Sequence, residues 1–473
     1  MNVRRTISIA LAFVGLLVGA GFATGAEVIQ YFLSHGSAGL WGALMAGVIM
    51  SVAGAVILQL GSYFLADQHN RVFRNVAHPV VSKFLDISVM VTLFAFGFVM
   101  LAGAGSNVEQ QFGIPAWLGS GIMTALVIFV GMFDVDKVSE VISAITPAII
   151  VAVVVVFVYT MFNLPGDFSL LNEVALQQDS PISPWWLSAL NYCGLALILG
   201  VSMCLVIGGN YASPKEAGVG GLSGGILYMV LMLMAASSLY LNMAAVGDSD
   251  VPMLAMFENM HPIAGFLMSL VIFAMIFNTC IGMFYALGKR ITVGQENRYR
   301  PYYIVLCLIG YVVSFVGFDS LMSSVYPIIG WLGMALVVVL VAWWIKNRKR
   351  IYEEITRRER IYELAYNREH PDEEFSRADA RELDEALDDS SVTSDSLRET
   401  IVVEVADDLL NDDEVDYEPE GKVAQLLDES EKSDFSLEDS GKADAEADAD
   451  TTAETTTDGA GTGDAGSHAV GNR

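Results

Sequence analysis

Ten long apolar stretches fill most of this chain and leave it little choice of architecture. They cover residues 7–33, 38–65, 84–107, 114–133, 141–162, 186–208, 220–245, 263–287, 302–317 and 321–345. A helix needs about 20 apolar residues to cross the hydrocarbon of a bilayer. Inside lipid every backbone N–H and C=O must find a partner within the chain, which admits only helices or closed barrels. Runs of this length are far too long for core strands. The sequence therefore predicts an all-α membrane protein with about ten transmembrane helices.

The connecting segments set an orientation. Arg4 and Arg5 precede the first run, and Arg71, Arg74 and Lys83 lie between the second and third. Lys137 follows the fourth, Lys215 the sixth, and Lys289, Arg290, Arg298 and Arg300 the eighth. Lys346, Arg348, Lys349 and Arg350 follow the tenth. The alternate loops, 34–37, 108–113, 163–185, 246–262 and 318–320, contain no Lys or Arg. By the positive-inside rule this alternation predicts a multi-pass protein of the cell membrane with both termini in the cytoplasm. Trp41, Trp117, Trp185 and Trp186 fall at the expected outer interface, and Tyr299, Trp343 and Trp344 at the inner one. Residues 1–26 also resemble a signal peptide. The apolar run continues through residues 28–33, which favours a retained span.

The first run is interrupted near its middle by Val18-Gly19-Ala20-Gly21-Phe22-Ala23-Thr24-Gly25-Ala26-Glu27. Each glycine weakens a helix by about 1 kcal/mol relative to alanine. Thr24-Gly25-Ala26-Glu27 reads as a capping box, which marks a helix start. A helix start in mid-bilayer predicts two half-helices joined by unwound backbone, tolerated only beside protein or a water-filled cavity. Bare amides there would face a carboxylate and bare carbonyls a cation. Close helix packing through Gly15, Gly19, Gly21 and Gly25 is the competing reading. Glu27 lies within the span, where an acidic residue costs roughly 2.5–3.5 kcal/mol on insertion scales and is usually functional. It could couple transport to protonation, pair with an ammonium or other cation, or simply cap the second half-helix.

Ten spans divide into five plus five, and an odd number per half forces the second half to run inverted. The sixth run, the partner of the first, carries Asn191-Tyr192-Cys193-Gly194, a weaker interruption that a packed glycine-containing helix explains equally well. In the eighth run, Asn278, Thr279 and the carbonyl of Met275 could join the carbonyls of Val18 and Gly21 around a sodium ion. Alternatively Thr279 bonds back within its own helix.

The run from Val18 to Phe32 resembles the first-helix signature of the YkvI-like membrane proteins. These are bacterial proteins grouped with amino-acid permeases in the amino acid–polyamine–organocation superfamily. The resemblance covers residues 1–346 and implies a LeuT-type 5+5 inverted-repeat fold (repeats at about 7–162 and 184–346). It also implies a solute site at the breaks of spans one and six. On this chain those residues are Gly19, Ala20, Gly21, Phe22, Ala23, Thr24 and Gly25, with Asn191, Tyr192, Cys193 and Gly194. Thr279 matches a hydroxyl-bearing position of the implied sodium site. Asn278 stands where a hydroxyl is commoner, which leaves proton coupling open. The expected activity is secondary active transport of a small amino-acid-like or zwitterionic solute, with no cofactor besides a sodium ion. A transporter-fold sensor signalling through the tail is the alternative.

An enzyme is not expected. Cys193, Cys204, Cys280 and Cys307 sit in apolar runs without metal spacing, and the six histidines do not cluster. Gly221-Leu-Ser-Gly-Gly225 has the spacing of a hydrolase elbow but no strand before it, so helix packing explains it. Glu109 and Asp319 read as solvated helix ends, and Asp86 as a capping residue.

Charge divides the chain at Arg350: the net charge is −1 up to that residue and −27 after it. So acidic a tail excludes nucleic acid and anionic lipid as its partners. Residues 347–369 are expected to continue as a basic juxtamembrane helix against lipid headgroups. Residues 370–473 are expected to be a disordered cytoplasmic tail, in which apolar patches at 401–403 and 423–427 could bind a cytoplasmic protein.

Overall fold

The computed structural model describes residues 2–132, 145–164, 169–292, 298–412, 415–419 and 421–433. Within them all regular structure is helical. The ten apolar runs each become a helix or a chain of helices. The first span is built from Val3–Leu17, Ala20–Thr24 and Ala26–Tyr31. Spans two to five are Ala38–Phe64, Pro79–Phe112, Ala116–Gly131 and Ile145–Phe162. Spans six to ten are Trp185–Gly209, Pro214–Leu241, Pro262–Ile291, Tyr299–Ser314 and Phe318–Glu369. Six of these are long and apolar enough on their own to cross a bilayer. The start of the predicted fifth run, 141–144, lies outside the described residues.

The packing has the exchange symmetry of two intertwined halves. Span one packs on span seven, and its counterpart, span six, packs on span two. Span three packs on spans nine and ten, and span eight packs on spans four and five. This exchange is that of a 5+5 inverted repeat. An extensive seam joins spans two and seven through small residues. A Cβ on Gly221 would lie 2.7 Å from the carbonyl oxygen of Gly54, and one on Gly225 would lie 2.3 Å from Cα of Ser51. In lipid, helices associate by such close backbone approach. The glycines that mimic a hydrolase elbow thus serve helix packing.

The face away from the basic loops is covered by the connection between spans seven and eight, which carries the short helix Pro252–Met260. There the Ser106 hydroxyl donates to Asp250 (2.9 Å), the Ser249 hydroxyl to Gln110 (2.7 Å), and the Asn107 amide to the carbonyl of Ser269 (3.1 Å).

The predicted disordered tail needs correction over much of its described length. Span ten continues unbroken to Glu369, and helices Arg377–Asp388 and Ser394–Leu410 fold back against it. Leu383, Leu387, Leu397, Ile401, Val405 and Leu409 form a second apolar core with Ile361, Leu364 and Ala365 of the long helix. Leu383 and Leu387, and Leu397, Ile401, Val405 and Leu409, recur every four residues within an acidic stretch, so each helix turns one apolar row inward, and the extended span ten supplies the surface that it buries. The apolar patch at 401–403 therefore has a partner inside the chain. Residues 434–473 lie outside the described residues.

Candidate functional site

The helical ladder of the first span stops at Leu17. Val18 (ψ 72°) and Gly19 (φ −91°, ψ −175°) are non-helical, and a five-residue helix, Ala20–Thr24, follows. Gly25 then takes φ +78°, and the chain resumes helically at Ala26. A side chain at Gly25 would meet strain in that left-handed conformation and the backbone nitrogen of Met253 at 3.2 Å. The predicted capping box does not form. The Thr24 hydroxyl instead donates to the carbonyl of Gly21 (2.7 Å), and Gly25 occupies the cap position. The last helix thus starts one residue later than the pattern predicts, which frees the Glu27 carboxyl for other contacts.

That carboxyl is folded back over the break. Glu27 is 6% exposed, and a Cβ on Gly21 would sit 1.7 Å from its Oε1. The site therefore exists only because residue 21 has no side chain. Four buried tyrosines, Tyr31, Tyr192, Tyr228 and Tyr326, gather around the carboxyl. Three have hydroxyl partners: Tyr31 donates to Asn191 (3.2 Å), and Tyr192 and Tyr228 share a bond of 2.7 Å. The fourth hydroxyl, that of Tyr326, lies against Glu27 with no other partner. Its ring stacks on Phe96 at 5.3 Å. No basic side chain among the described residues pairs with Glu27.

A cavity of about 490 Å³ leads to this carboxyl from the face of the basic loops. Its mouth is lined by Asp67, His69, Lys289 and Arg290, and its deep end by Val18, Gly19, Gly21, Phe22, Glu27, Phe96 and Tyr192. At the mouth Arg290 pairs with Asp86 and bonds His69 (2.8 Å) and Asn70 (3.1 Å). Asp86 is therefore an ion-pair partner in mid-helix, and the expectation that it caps a helix was wrong. Its match with Arg290 could be read only once spans three and eight are known to touch.

The predicted break in span six is absent. Trp185–Gly209 is one continuous helix. Gly194 is glycine for packing, because a Cβ there would lie 2.0 Å from the carbonyl oxygen of Gly330 on span ten. Asn191 donates to the carbonyl of Pro327 (2.9 Å), cross-linking spans six and ten. Of the four predicted residues in span six, only Tyr192 reaches the cavity; Asn191, Cys193 and Gly194 do not. From the first span, Gly19, Gly21 and Phe22 line it, while Ala20, Ala23, Thr24 and Gly25 face other parts of the protein.

The five residues predicted to hold sodium, Val18, Gly21, Met275, Asn278 and Thr279, do line one cavity. Two of their carbonyls are already engaged. Gly21 accepts from Thr24, and Met275 accepts from Thr279 at 3.0 Å. Back-bonding of Thr279 within its own helix is thus the observed arrangement. The Met275 carbonyl, in mid-helix, also accepts the backbone N–H one turn on and has no lone pair to spare, so the donor set is a partial fit. Sequence reasoning missed Tyr228, Tyr326 and Phe96. Their only signal was an aromatic residue in an apolar run, which marks ordinary core far more often than a site.

These features define a polytopic helical membrane protein with a broken first helix over a cavity that opens on one face. No family model matches the chain. It is similar to an uncharacterized membrane protein of Bacillus subtilis, YkvI, at 25% identity over 336 residues, covering 70% of this chain and 94% of that protein. A second B. subtilis protein, the uncharacterized YyaD, is 23% identical over 342 residues, covering 72% and 96% of the two chains. Among solved structures, MhsT in complex with L-phenylalanine aligns with a TM-score of 0.49 at 15% identity, over 84% of this chain and 95% of that one.

Proposed function

We propose that this protein is a secondary transporter of a small amino-acid-like solute, which it binds by the ammonium group at Glu27. The observation that carries this reading is one buried carboxylate without a cationic partner, at the closed end of a cavity beside broken backbone. An acidic group in such a place is costly unless a cation or proton joins it. Aromatic walls favour an ammonium ligand further, since ring faces attract cations. The opposite face is closed by the connection between spans seven and eight, so this arrangement is open on the cytoplasmic side in the predicted orientation. Alternating access then requires the first span to rearrange about Val18–Gly19 and Gly25. Span six, being continuous, moves as a rod.

Proton coupling is the simpler of the two predicted modes. Glu27 has the place and the empty partner position, whereas the sodium set shares two of its carbonyls with threonine hydroxyls.

The test is uptake into proteoliposomes of amino acids and related amines, with and without a sodium or pH gradient. Gradient-driven accumulation of an ammonium-bearing solute is expected, and it should be lost in Glu27→Gln. Absence of flux for every solute, with thermal stabilisation by one of them intact, would move the protein to the sensor reading.

A further inference from the structure

The two C-terminal helices contact the transporter body at an informative place. Asn2 caps the first half-helix by accepting from the amide of Arg4 (2.9 Å), and its side-chain amide donates to Asp408 (2.5 Å). Arg5, one turn in, is 8% exposed. Its guanidinium bonds the carbonyl of Glu404 at 2.7 Å, the carboxylate of Glu404 at 3.3 Å and that of Asp408 at 2.5 Å, and it lies over the ring of Tyr362 at 5.6 Å. The other carboxylate oxygen of Glu404 accepts from the amide of Ala212 (2.8 Å), between spans six and seven.

The same C-terminal unit rests on a separate, fixed anchorage. Arg358, on the extension of span ten, donates to the carbonyls of Ser62 (2.8 Å), Tyr63 (2.8 Å) and Ala212 (3.1 Å). Glu354 holds that guanidinium at 2.8 Å and accepts from the hydroxyl of Ser390 (2.5 Å) in the C-terminal unit. The unit is thus bolted to spans two and ten while gripping the tip of the first half-helix.

Val3–Leu17 is a 15-residue helix, about 22 Å long at 1.5 Å per residue. Its far end is the non-helical Val18–Gly19, and its last residues, Gly15 to Val18, wall the cavity. Holding the tip furthest from a flexible joint fixes the whole rod with the fewest contacts. We infer that residues 377–410 form an intramolecular clasp, which locks the first half-helix where it keeps the cavity open and so governs access to Glu27. This deepens the transport reading by naming its regulation, but the contact and its effect on access do not depend on solute identity.

The test needs no solute. All four native cysteines are buried, so Ser202→Cys in the full-length chain provides a reporter on the cavity wall. The measurement is its rate of modification by a charged maleimide in purified protein. Arg5→Ala and Asp408→Asn, each on the S202C background, should slow labelling by about fivefold or more as the open arrangement loses its lock. A rate within twofold of the parent, or a faster one, in either variant that elutes as a monodisperse protein overturns the clasp. Asp408→Asn removes only charge and decides alone if Arg5→Ala fails to fold. Because labelling reads access and not flux, a failed clasp leaves the transport reading standing, and absent transport leaves the clasp standing.

Discussion

Spans one and six hold equivalent places in the two halves, yet one is cut into three pieces and the other runs unbroken from Trp185 to Gly209. Both carry glycine in mid-membrane. The difference lies in what stands opposite. Gly194 faces backbone, namely the carbonyl of Gly330 and the nitrogen of Met334, at distances that leave no room for a methyl group. Gly21 faces the end of a flexible side chain, the Glu27 carboxyl. Glycine against rigid backbone makes a seam between helices. Glycine against a movable acid makes a seat. Neither case can be told from the glycine alone.

The contrast can be broken by substitution. The largest effect is expected at Gly194→Ala, where a new Cβ meets carbonyl and amide groups that cannot move aside. Overpacking of this kind costs about 1–3 kcal/mol, occasionally more, and thermal unfolding of the purified protein should fall clearly below wild type. Asn191→Ala comes next. It strips the partner from the Pro327 carbonyl and from the Tyr31 hydroxyl, at about 1–3 kcal/mol for a group left unsatisfied, again read as a lower melting temperature. Gly21→Ala should behave differently: the Glu27 side chain swings away, the fold survives, and solute stabilisation and uptake are lost. If Gly21→Ala instead unfolds the protein while Gly194→Ala is tolerated, the seam and the seat have been assigned the wrong way round. Gly19→Ala should change little, within about 0.5 kcal/mol. Gly19 has φ −91°, and no atom lies within 4 Å of the position a Cβ would take.

The smallest effect concerns pH and the clasp. Burial pushes the Glu404 carboxyl up to about 7, against the pull of Arg5 and of the Ala212 amide. Glu216 on span seven and Asp408 on its own helix add to the rise, and Arg358 also acts on it from span ten. A carboxyl raised in the docked state favours docking when protonated. Its contribution is complete below the ordinary carboxylate range and fades as pH climbs through about 7. Hydrogen exchange along Ser394–Leu410 should therefore quicken beyond the intrinsic rise as pH climbs from the ordinary carboxylate range to about 7 and show no further excess above it, and Glu404→Gln should abolish that excess.

The membrane architecture was legible because lipid imposes a strict rule on length and polarity. Each of the ten runs maps onto a span, although the last helix runs on to Glu369 and residues 141–144 lie outside the described residues. The break in span one was legible too, from Gly19, Gly21 and Gly25 around a buried acid. Its details were not, because the choice between Thr24 and Gly25 as the cap depends on Met253, which packs in from a remote loop. Span six was misread since Asn191 and Gly194 find partners on span ten, 136 residues away in the case of Pro327. The C-terminal helices were hidden by acidic composition. Leu383, Leu387, Leu397 and Ile401 bury themselves against a surface that composition does not reveal.

Span ten is a 52-residue helix, about 78 Å from end to end, whereas hydrocarbon accounts for about 30 Å of it. Such a shaft acts like the needle of a gauge. A tilt of ten degrees where it emerges would sweep a point 40 Å further out through about 7 Å, a displacement that a pair of fluorophores can register. Rearrangements too slight to resolve among the spans would thus be written large at Glu369, where a label touches nothing that handles the solute.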